Sequence, residues 1–180
     1  MPRCTAFLRA VNVGGRTVKM EALRTAFEAL GLTQVQTFIA SGNVVFDTRA
    51  RDLAALERRI ESHLAASLGF EMHTFIRTDA ELGAIVDHVA FGAAETAAAN
   101  THVVGFLASV PGAAVRQTIE GLNTAADRFH LHARELYWLS TNRQSESTFS
   151  NAAFETALQL RTTFRAMSTL RKLRGKLSAN

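Results

Sequence analysis

Short segments in which apolar residues alternate with other residues predict β-strands in the N-terminal half of the chain. These strands span residues 4–11, 35–40, 44–47 and 71–77. Between them, apolar residues recur at three- and four-residue intervals and predict two helices, over residues 20–30 and 53–64. The order of elements is β-α-β-β-α-β, which is that of a split-βαβ, ferredoxin-like unit.

The C-terminal half has the same order of predicted elements. Strands are predicted over residues 102–108, 128–132, 135–139 and 161–164, with helices between them and a last, basic helix over residues 167–177. We therefore predict an α+β protein with a duplicated ferredoxin-like fold, in antiparallel sheets with helices on one face. The halves cover residues 1–89 and 101–180, joined by the alanine- and glycine-rich segment 90–100.

The positive charge is concentrated at the C-terminal end. Against +4 for the whole chain, residues 161–180 carry +6 with no acidic residue, and residues 1–160 carry −2. Such a segment can contact phosphates or an anionic surface. A solvated helix face explains the same charges, because cations are favoured near a helix C-terminus.

The composition is that of a globular protein. The chain has 180 residues, 47% of them apolar and 20% charged, which suffices for a sizeable core. No apolar run reaches the roughly 20 residues of a membrane span, and the N-terminus lacks the apolar core of a signal peptide. The single cysteine, Cys4, fits a cytoplasmic location, and we expect its thiol to be buried and unreactive.

A glycine pair interrupts the first strand just before the first helix. The backbone N–H groups of Gly14 and Gly15 can bind an anion at the start of a helix, and neighbouring cations add charge. The candidate residues here are Arg9, Asn12, Gly14, Gly15, Arg16 and Lys19. The nucleotide-loop patterns are absent, and a crossover turn explains the same glycines.

The tight turn Ser41-Gly42-Asn43 precedes the third strand, and glycine and asparagine tolerate the positive φ that such turns need. In a β-α-β-β unit the first and third strands are antiparallel neighbours. We therefore expect Ser41 and Asn43 to approach Asn12 and Gly14, so that two polar turns meet at one end of the sheet. A nucleophilic role for Ser41 is disfavoured, because no partner base is apparent nearby.

The sheet face opposite the helices is a further candidate surface. Alternation places aromatic and arginine residues there, namely Phe7, Arg9, Phe38, Phe75 and Arg77. RNA-recognition sheets stack bases on such residues. The alternative, which we favour, is that this face is covered by packing.

Two histidines, His130 and His132, share one face of a predicted strand, which is the spacing of a two-ligand metal site. His102 on another strand is a possible third ligand. Structural or surface roles are the favoured interpretation, and we expect neither a metal nor another cofactor.

Two sequence segments carry a family resemblance. An arginine-bearing strand leads into Asn-x-Gly-Gly at residues 8–15, and a threonine–aromatic strand leads into Ser-Gly-Asn at residues 37–43. The pair resembles the bacterial domain of unknown function 1697 family. Residues 163–169 resemble it less closely, with Ala166 and Met167 where the family tends to have Asn and Trp; Arg165 there is another candidate residue. The resemblance implies a duplicated ferredoxin-like fold and no assigned activity.

The leading functional hypothesis is a non-enzymatic module that binds nucleic acid or another phosphorylated ligand. The candidate ligand-binding residues are Arg9, Asn12, Gly14, Gly15, Arg16, Lys19, Ser41, Gly42, Asn43 and Arg165. An alternative is a small-molecule enzyme whose site lies where the two turns meet, with backbone donors holding a developing negative charge. A further alternative is a protein-interaction scaffold. The oligomeric state is not predicted.

Overall fold

The computed structural model describes residues 1–9, 11, 17–38, 42–147 and 149–178. The chain is an α+β protein that divides into two compact units, Met1–Gly83 (unit 1) and Ala84–Asn180 (unit 2). Each unit contains a four-stranded antiparallel sheet within the described ranges. The boundaries predicted from the sequence, with halves over residues 1–89 and 101–180 and a linking segment over residues 90–100, stay a prediction.

Unit 1 contains six elements in the predicted order. They are β1 (Arg3–Leu8), α1 (Met20–Ala29), β2 (Thr33–Phe38), β3 (Asn43–Asp47), α2 (Leu53–Leu68) and β4 (Thr74–Thr78). The sheet order is β2-β3-β1-β4, so that β1 is a central strand between β3 and β4. The next helix, α3 (Asp79–Asp87), contains the boundary between the units.

Alternation along β1 and β3 builds the core of unit 1. One face of these strands carries Cys4, Ala6, Leu8, Val44 and Phe46, which pack with buried residues of α1 and α2. Burial of each large apolar side chain contributes about 1.5–3 kcal/mol. Burial, followed by nearby carboxylates, raises the pKa of the Cys4 thiol to about 11. The expected burial of Cys4 is confirmed, and the raised pKa disfavours the reactive thiolate.

Unit 2 has the same order of strands. Its elements are α4 (Ala93–Ala98), β5 (Thr101–Phe106), α5 (Ala113–Glu120), β6 (Asp127–His132), β7 (Glu135–Ser140), a 3-10 turn (Gln144–Glu146), α6 (Asn151–Leu158), β8 (Thr163–Ala166) and α7 (Met167–Ser178). The sheet order is β6-β7-β5-β8, in which β6 and β7 form a hairpin. Its core includes Trp138, Phe129 and Phe154.

Local signals account for several element boundaries. A capping box starts α3, because the Thr78 hydroxyl accepts from the Glu81 N–H (3.2 Å) and the Glu81 carboxylate accepts from the Thr78 N–H (2.8 Å). Gly31, at φ +78°, follows α1 in the left-handed conformation that glycine favours after a helix. β8 begins at Thr163, two residues later than predicted, because its pairing with β5 starts with Thr163 opposite Phe106.

Part of the second face of each sheet, opposite the cores just described, is also buried. In unit 1, Phe7 and Arg77 are fully buried and Phe75 is 2% exposed, so the base-stacking interpretation is wrong for these three residues and the packing alternative is confirmed for them. In unit 2, the fully buried Tyr137 donates its hydroxyl to the carbonyl oxygen of Ile85 at 3.1 Å. The end of α3 therefore lies against this face.

No helix within the described ranges is both long enough and apolar enough to cross a membrane.

Candidate functional site

The candidate residues divide into those the structure describes and those it does not. Asn12, Gly14, Gly15, Arg16 and Ser41 lie outside the described residues. The described candidates are Arg9, Lys19, Gly42, Asn43 and Arg165.

The end of β1 and the turn before β3 are in contact. The Leu8 N–H donates to the Gly42 carbonyl at 2.8 Å, and Phe7 pairs with Asn43. Gly42 has φ +78°, and a Cβ built there would lie 2.3 Å from Cγ2 of Val11. The end of β1 and the start of β3 are therefore antiparallel neighbours. The expected approach of Ser41 and Asn43 to Asn12 and Gly14 involves residues outside the described ranges and stays a prediction. Glycine is required at position 42 both for the backbone angle and for the close approach.

Asn43 closes the hairpin between β2 and β3. Its side chain is fully buried, and its amide donates to the Phe38 carbonyl at 3.0 Å. This bond gives Asn43 a structural role in the turn, since it links the last residue of β2 to the first residue of β3. A ligand contact by Asn43 stays a prediction.

Two described cations flank this end of unit 1 in the sequence. Arg9 directly follows β1, and its backbone N–H donates to the His73 carbonyl at 2.8 Å. Lys19 is exposed and precedes α1. It also lines a groove of about 480 Å³ between α1 and α2. A neighbouring groove of about 600 Å³ is lined by Arg58 and Arg59, and the two grooves share His63.

Arg165 is held inside unit 2. Its guanidinium donates to the Thr163 hydroxyl at 2.7 Å and to the Phe164 carbonyl at 2.9 Å. Burial lowers the pKa of Arg165 to about 10, which leaves it charged at neutral pH. Arg77 in unit 1 makes the same bond to the preceding carbonyl, that of Ile76, at 2.9 Å. These contacts explain both arginines as parts of the packed sheet, and ligand binding by Arg165 stays a prediction.

The basic C-terminal segment forms α7 as predicted. Arg171, Lys172 and Lys176 are exposed on this helix, whereas Arg174 forms an ion pair with Asp87. The interaction holds the pKa of Arg174 above its usual value, through a hydrogen bond and Coulombic attraction. Part of the +6 charge is therefore neutralised within unit 2.

A cluster of three histidines was only partly predicted. His88, just after α3, joins His130 and His132 of β6, and their candidate ligand nitrogens all lie within 4.8 Å of one another. The sequence pointed to His130 and His132 but suggested His102 as the third member. His102 instead places its ring edge-on to Phe91, with centroids 6.0 Å apart.

The rings of the cluster are closely stacked. The Nε2 atoms of His88 and His130 are 3.1 Å apart, and the ring centroids of His88 and His132 are 4.0 Å apart, with planes inclined by 19°. Tyr137 lies beside them, with its ring centroid 5.0 Å from that of His88. The arrangement allows either a direct hydrogen bond between two imidazoles or shared coordination of one ion.

Burial lowers the pKa of both His88 and His130. Desolvation is the largest cause in each case, followed by repulsion from His132, and then from His130 for His88 and from Arg116 for His130. These shifts favour the neutral imidazole, which is the form in which histidine accepts a hydrogen bond or binds a metal.

The fold defines the class of the protein, an α+β chain with two four-stranded antiparallel sheets of the same strand order. The chain matches the model of the family described as protein of unknown function (DUF1697) over residues 1–137, and it belongs to that family. The solved structure of the conserved bacterial protein SP0830 from Streptococcus pneumoniae is similar, with a TM-score of 0.76 and 23% identity over 99% of each chain. This similarity concerns the fold. No curated protein matches the chain.

Proposed function

We propose that the protein is a non-enzymatic binding module that holds nucleic acid or another phosphorylated ligand at the end of β1 in unit 1. The observation that carries this proposal is the contact between Leu8 and Gly42, with the N–H of one donating to the carbonyl of the other at 2.8 Å. The contact joins one residue from each of the two segments of the family pattern. The cation Arg9 directly follows Leu8 in the chain.

The charge distribution supports a phosphorylated ligand. Lys19 lines one groove beside α1, and Arg58 and Arg59 line the next. Glu21 also lines the first groove, but it pairs with Arg24, which reduces its repulsion of an anion. Exposed cations of this kind bind phosphates mainly through electrostatic attraction.

Fluorescence anisotropy with labelled single-stranded RNA, single-stranded DNA and a nucleoside triphosphate analogue tests the proposal. We expect binding that weakens steeply as the salt concentration rises, because phosphate contacts release counterions. The variant Lys19→Ala should weaken binding and reduce the salt slope. Arg49→Ala is the matched control: it removes the same charge from an exposed residue beyond the other end of β3.

Absence of binding to all three probes at low salt would refute the proposal. Equal losses in Lys19→Ala and Arg49→Ala would place any binding elsewhere, since a general charge effect does not depend on position. If the protein binds RNA and DNA but not the triphosphate analogue, the ligand is a nucleic acid. If it binds only the triphosphate analogue, the ligand is a small molecule.

We also infer that the two units are copies of one ferredoxin-like unit. The order of strands in the two sheets supports this inference, because β2-β3-β1-β4 and β6-β7-β5-β8 are the same order in corresponding strands. The shared bond from Arg77 and Arg165 to the preceding carbonyl also supports it. A cytoplasmic location, motivated by the single buried cysteine, is part of the same proposal.

A further inference from the structure

We propose that His88, His130 and His132 form a binding site for a divalent transition-metal ion of the zinc class, with one coordination position left for water or a ligand. The three residues offer one imidazole nitrogen each, and these atoms lie within 4.8 Å of one another. The site lies in unit 2 and does not rest on the proposed function of unit 1.

The separation of the first two ligands fits a shared ion. The Nε2 atoms of His88 and His130 are 3.1 Å apart. Two nitrogens bound to tetrahedral zinc at about 2.0–2.1 Å stand roughly 3.3 Å from each other. The observed separation therefore needs only a small adjustment for both atoms to contact one ion. The third nitrogen, from His132, lies close enough to join them through a side-chain rotation.

The backbone holds the three residues in place. His130 and His132 are two residues apart on β6, so both project from the same face of the sheet. The register of the β6–β7 hairpin fixes their positions along the strand, since His130 pairs with Tyr137 and His132 with Glu135. A site built on paired strands is more precisely positioned than one built on a loop.

His88 is brought to this face by α3. Its N–H donates to the Ala84 carbonyl at 3.0 Å, which continues the helical pattern to His88 itself. One turn earlier, the Ile85 carbonyl accepts the Tyr137 hydroxyl at 3.1 Å. Tyr137 lies on β7 and pairs with His130 of β6. Its bond to Ile85 therefore ties the end of α3, next to His88, to the sheet beside His130. These contacts hold His88 beside His130, with their Nε2 atoms 3.1 Å apart.

The ligand set indicates which ions bind and how. Imidazole suits zinc, copper and nickel, whereas magnesium and calcium require oxygen ligands. Three protein ligands leave a tetrahedral ion with a fourth position, as in catalytic zinc sites. His132 is exposed and His88 and His130 are half-buried, so solvent reaches this position. Arg116, whose guanidinium donates to the Leu131 carbonyl at 3.4 Å, is the nearby cation that opposes the ion's charge.

A direct hydrogen bond between His88 and His130 is the competing explanation of the 3.1 Å contact. One neutral imidazole donates and the other accepts, and no ion is needed. The two explanations differ in one measurable property, because only the metal site binds zinc with His132 as a participant.

Calorimetric titration of tag-free, chelator-stripped protein with Zn²⁺ near neutral pH tests the proposal. We expect one ion per chain. His132→Ala should weaken binding at least about ten-fold, since even residues that only support metal ligands cost 10–100-fold when removed. His63→Ala is the matched control, because His63 is a half-buried histidine of unit 1 outside the cluster. It should bind as the unsubstituted protein does.

Thermal unfolding with and without Zn²⁺ provides a second readout that is independent of heat signals. The melting temperature of the unsubstituted protein and of His63→Ala should rise with Zn²⁺, and that of His132→Ala should rise less. His132 is exposed, so its replacement leaves the fold intact. Absence of stoichiometric binding, or equal affinity in His132→Ala and the unsubstituted protein, would overturn the metal site and leave the hydrogen bond as the explanation.

Discussion

The edge strands β2 and β6 occupy the same position in the two sheets and carry different chemistry. In unit 1, Gln36 pairs with Val45, and in unit 2 the corresponding His130 pairs with Tyr137. Two residues further along each strand, Phe38 of β2 corresponds to His132 of β6. The same backbone framework therefore presents an amide and a phenyl ring in one unit and two imidazoles in the other.

Other positions are alike in the two units. The core-facing positions Phe46 and Trp138 are both aromatic and buried. The last strands both carry a buried arginine, Arg77 and Arg165, bonded to the preceding carbonyl. The comparison indicates that packing constrains the residue types on the core face and in the last strand. The edge strand and its turn differ between the units, and each unit carries its own candidate site there.

The largest expected effect concerns the turn that distinguishes unit 1. Gly42→Ala should lower the free energy of unfolding by about 2–5 kcal/mol, because a positive φ and an overpacked contact add together. The added Cβ would lie 2.3 Å from Val11 and 3.2 Å from Leu8. Urea denaturation measures the change.

Gly31→Ala is the matched control for this substitution. Gly31 has the same φ, +78°, but no atom lies within 4 Å of a Cβ built there. Its cost should be only about 1–2 kcal/mol, from the backbone angle. Equal costs at the two glycines would contradict the close approach of Gly42 to Val11 and Leu8, and with it the location proposed for the binding site.

A smaller effect is expected where the two cores differ in polarity. The Trp138 indole donates to the Asp127 carboxylate at 2.9 Å, and both residues are buried. Trp138→Phe gives unit 2 the side-chain type of Phe46 and leaves this carboxylate oxygen without that donor, at a cost of about 1–3 kcal/mol. A double-mutant cycle with Asp127→Ala separates this bond from the lost volume. Additive costs in the cycle would show that the bond contributes nothing.

The smallest effect is a pH dependence confined to unit 2. Where unit 1 has the ion pair of Arg3 and Asp47, unit 2 has His102 opposite Leu139. Burial, and then Arg171, lower the pKa of His102 below 6.5. The unfolded state therefore binds the proton more readily, so the stability contributed by neutral His102 is complete above pH 6.5 and is lost as the pH falls towards the folded pKa.

His102→Phe should remove this contribution. Its free energy of unfolding should fall less than that of the unsubstituted protein between about pH 7 and about pH 5, a window that begins above the ordinary histidine pKa. Chemical denaturation at a series of pH values measures both. Parallel pH profiles would show that His102 is protonated equally well in the folded and unfolded states.

Much of the sheet architecture was predictable from local patterns. Alternation in β1 and β3 and the glycines that end helices depend only on neighbouring residues. Burial of the second sheet face also has a local signal, since Leu136-Tyr137-Trp138-Leu139 is apolar on both faces of β7. Coverage of that face was nonetheless one of two alternatives, because a single strand does not reveal what packs on it.

The third histidine could not be predicted locally. His88 is 42 residues from His130 in the chain and follows a helix whose direction depends on tertiary contacts. The bond between Tyr137 and Ile85 that brings it to the sheet has no sequence pattern. His102 was the more natural choice, since it lies on a strand of the same sheet, but it is two strands away from β6.

Histidine NMR during a Zn²⁺ titration tests the central comparison most directly. The chain has six histidines, of which three form the cluster in unit 2. We predict that the imidazole signals of His88, His130 and His132 shift together and saturate at one ion per chain, while those of His63 and His73 in unit 1 do not change. Shifts at His63 or His73 with the same saturation, or no shift in the cluster, would contradict the assignment of metal chemistry to the edge strand of unit 2.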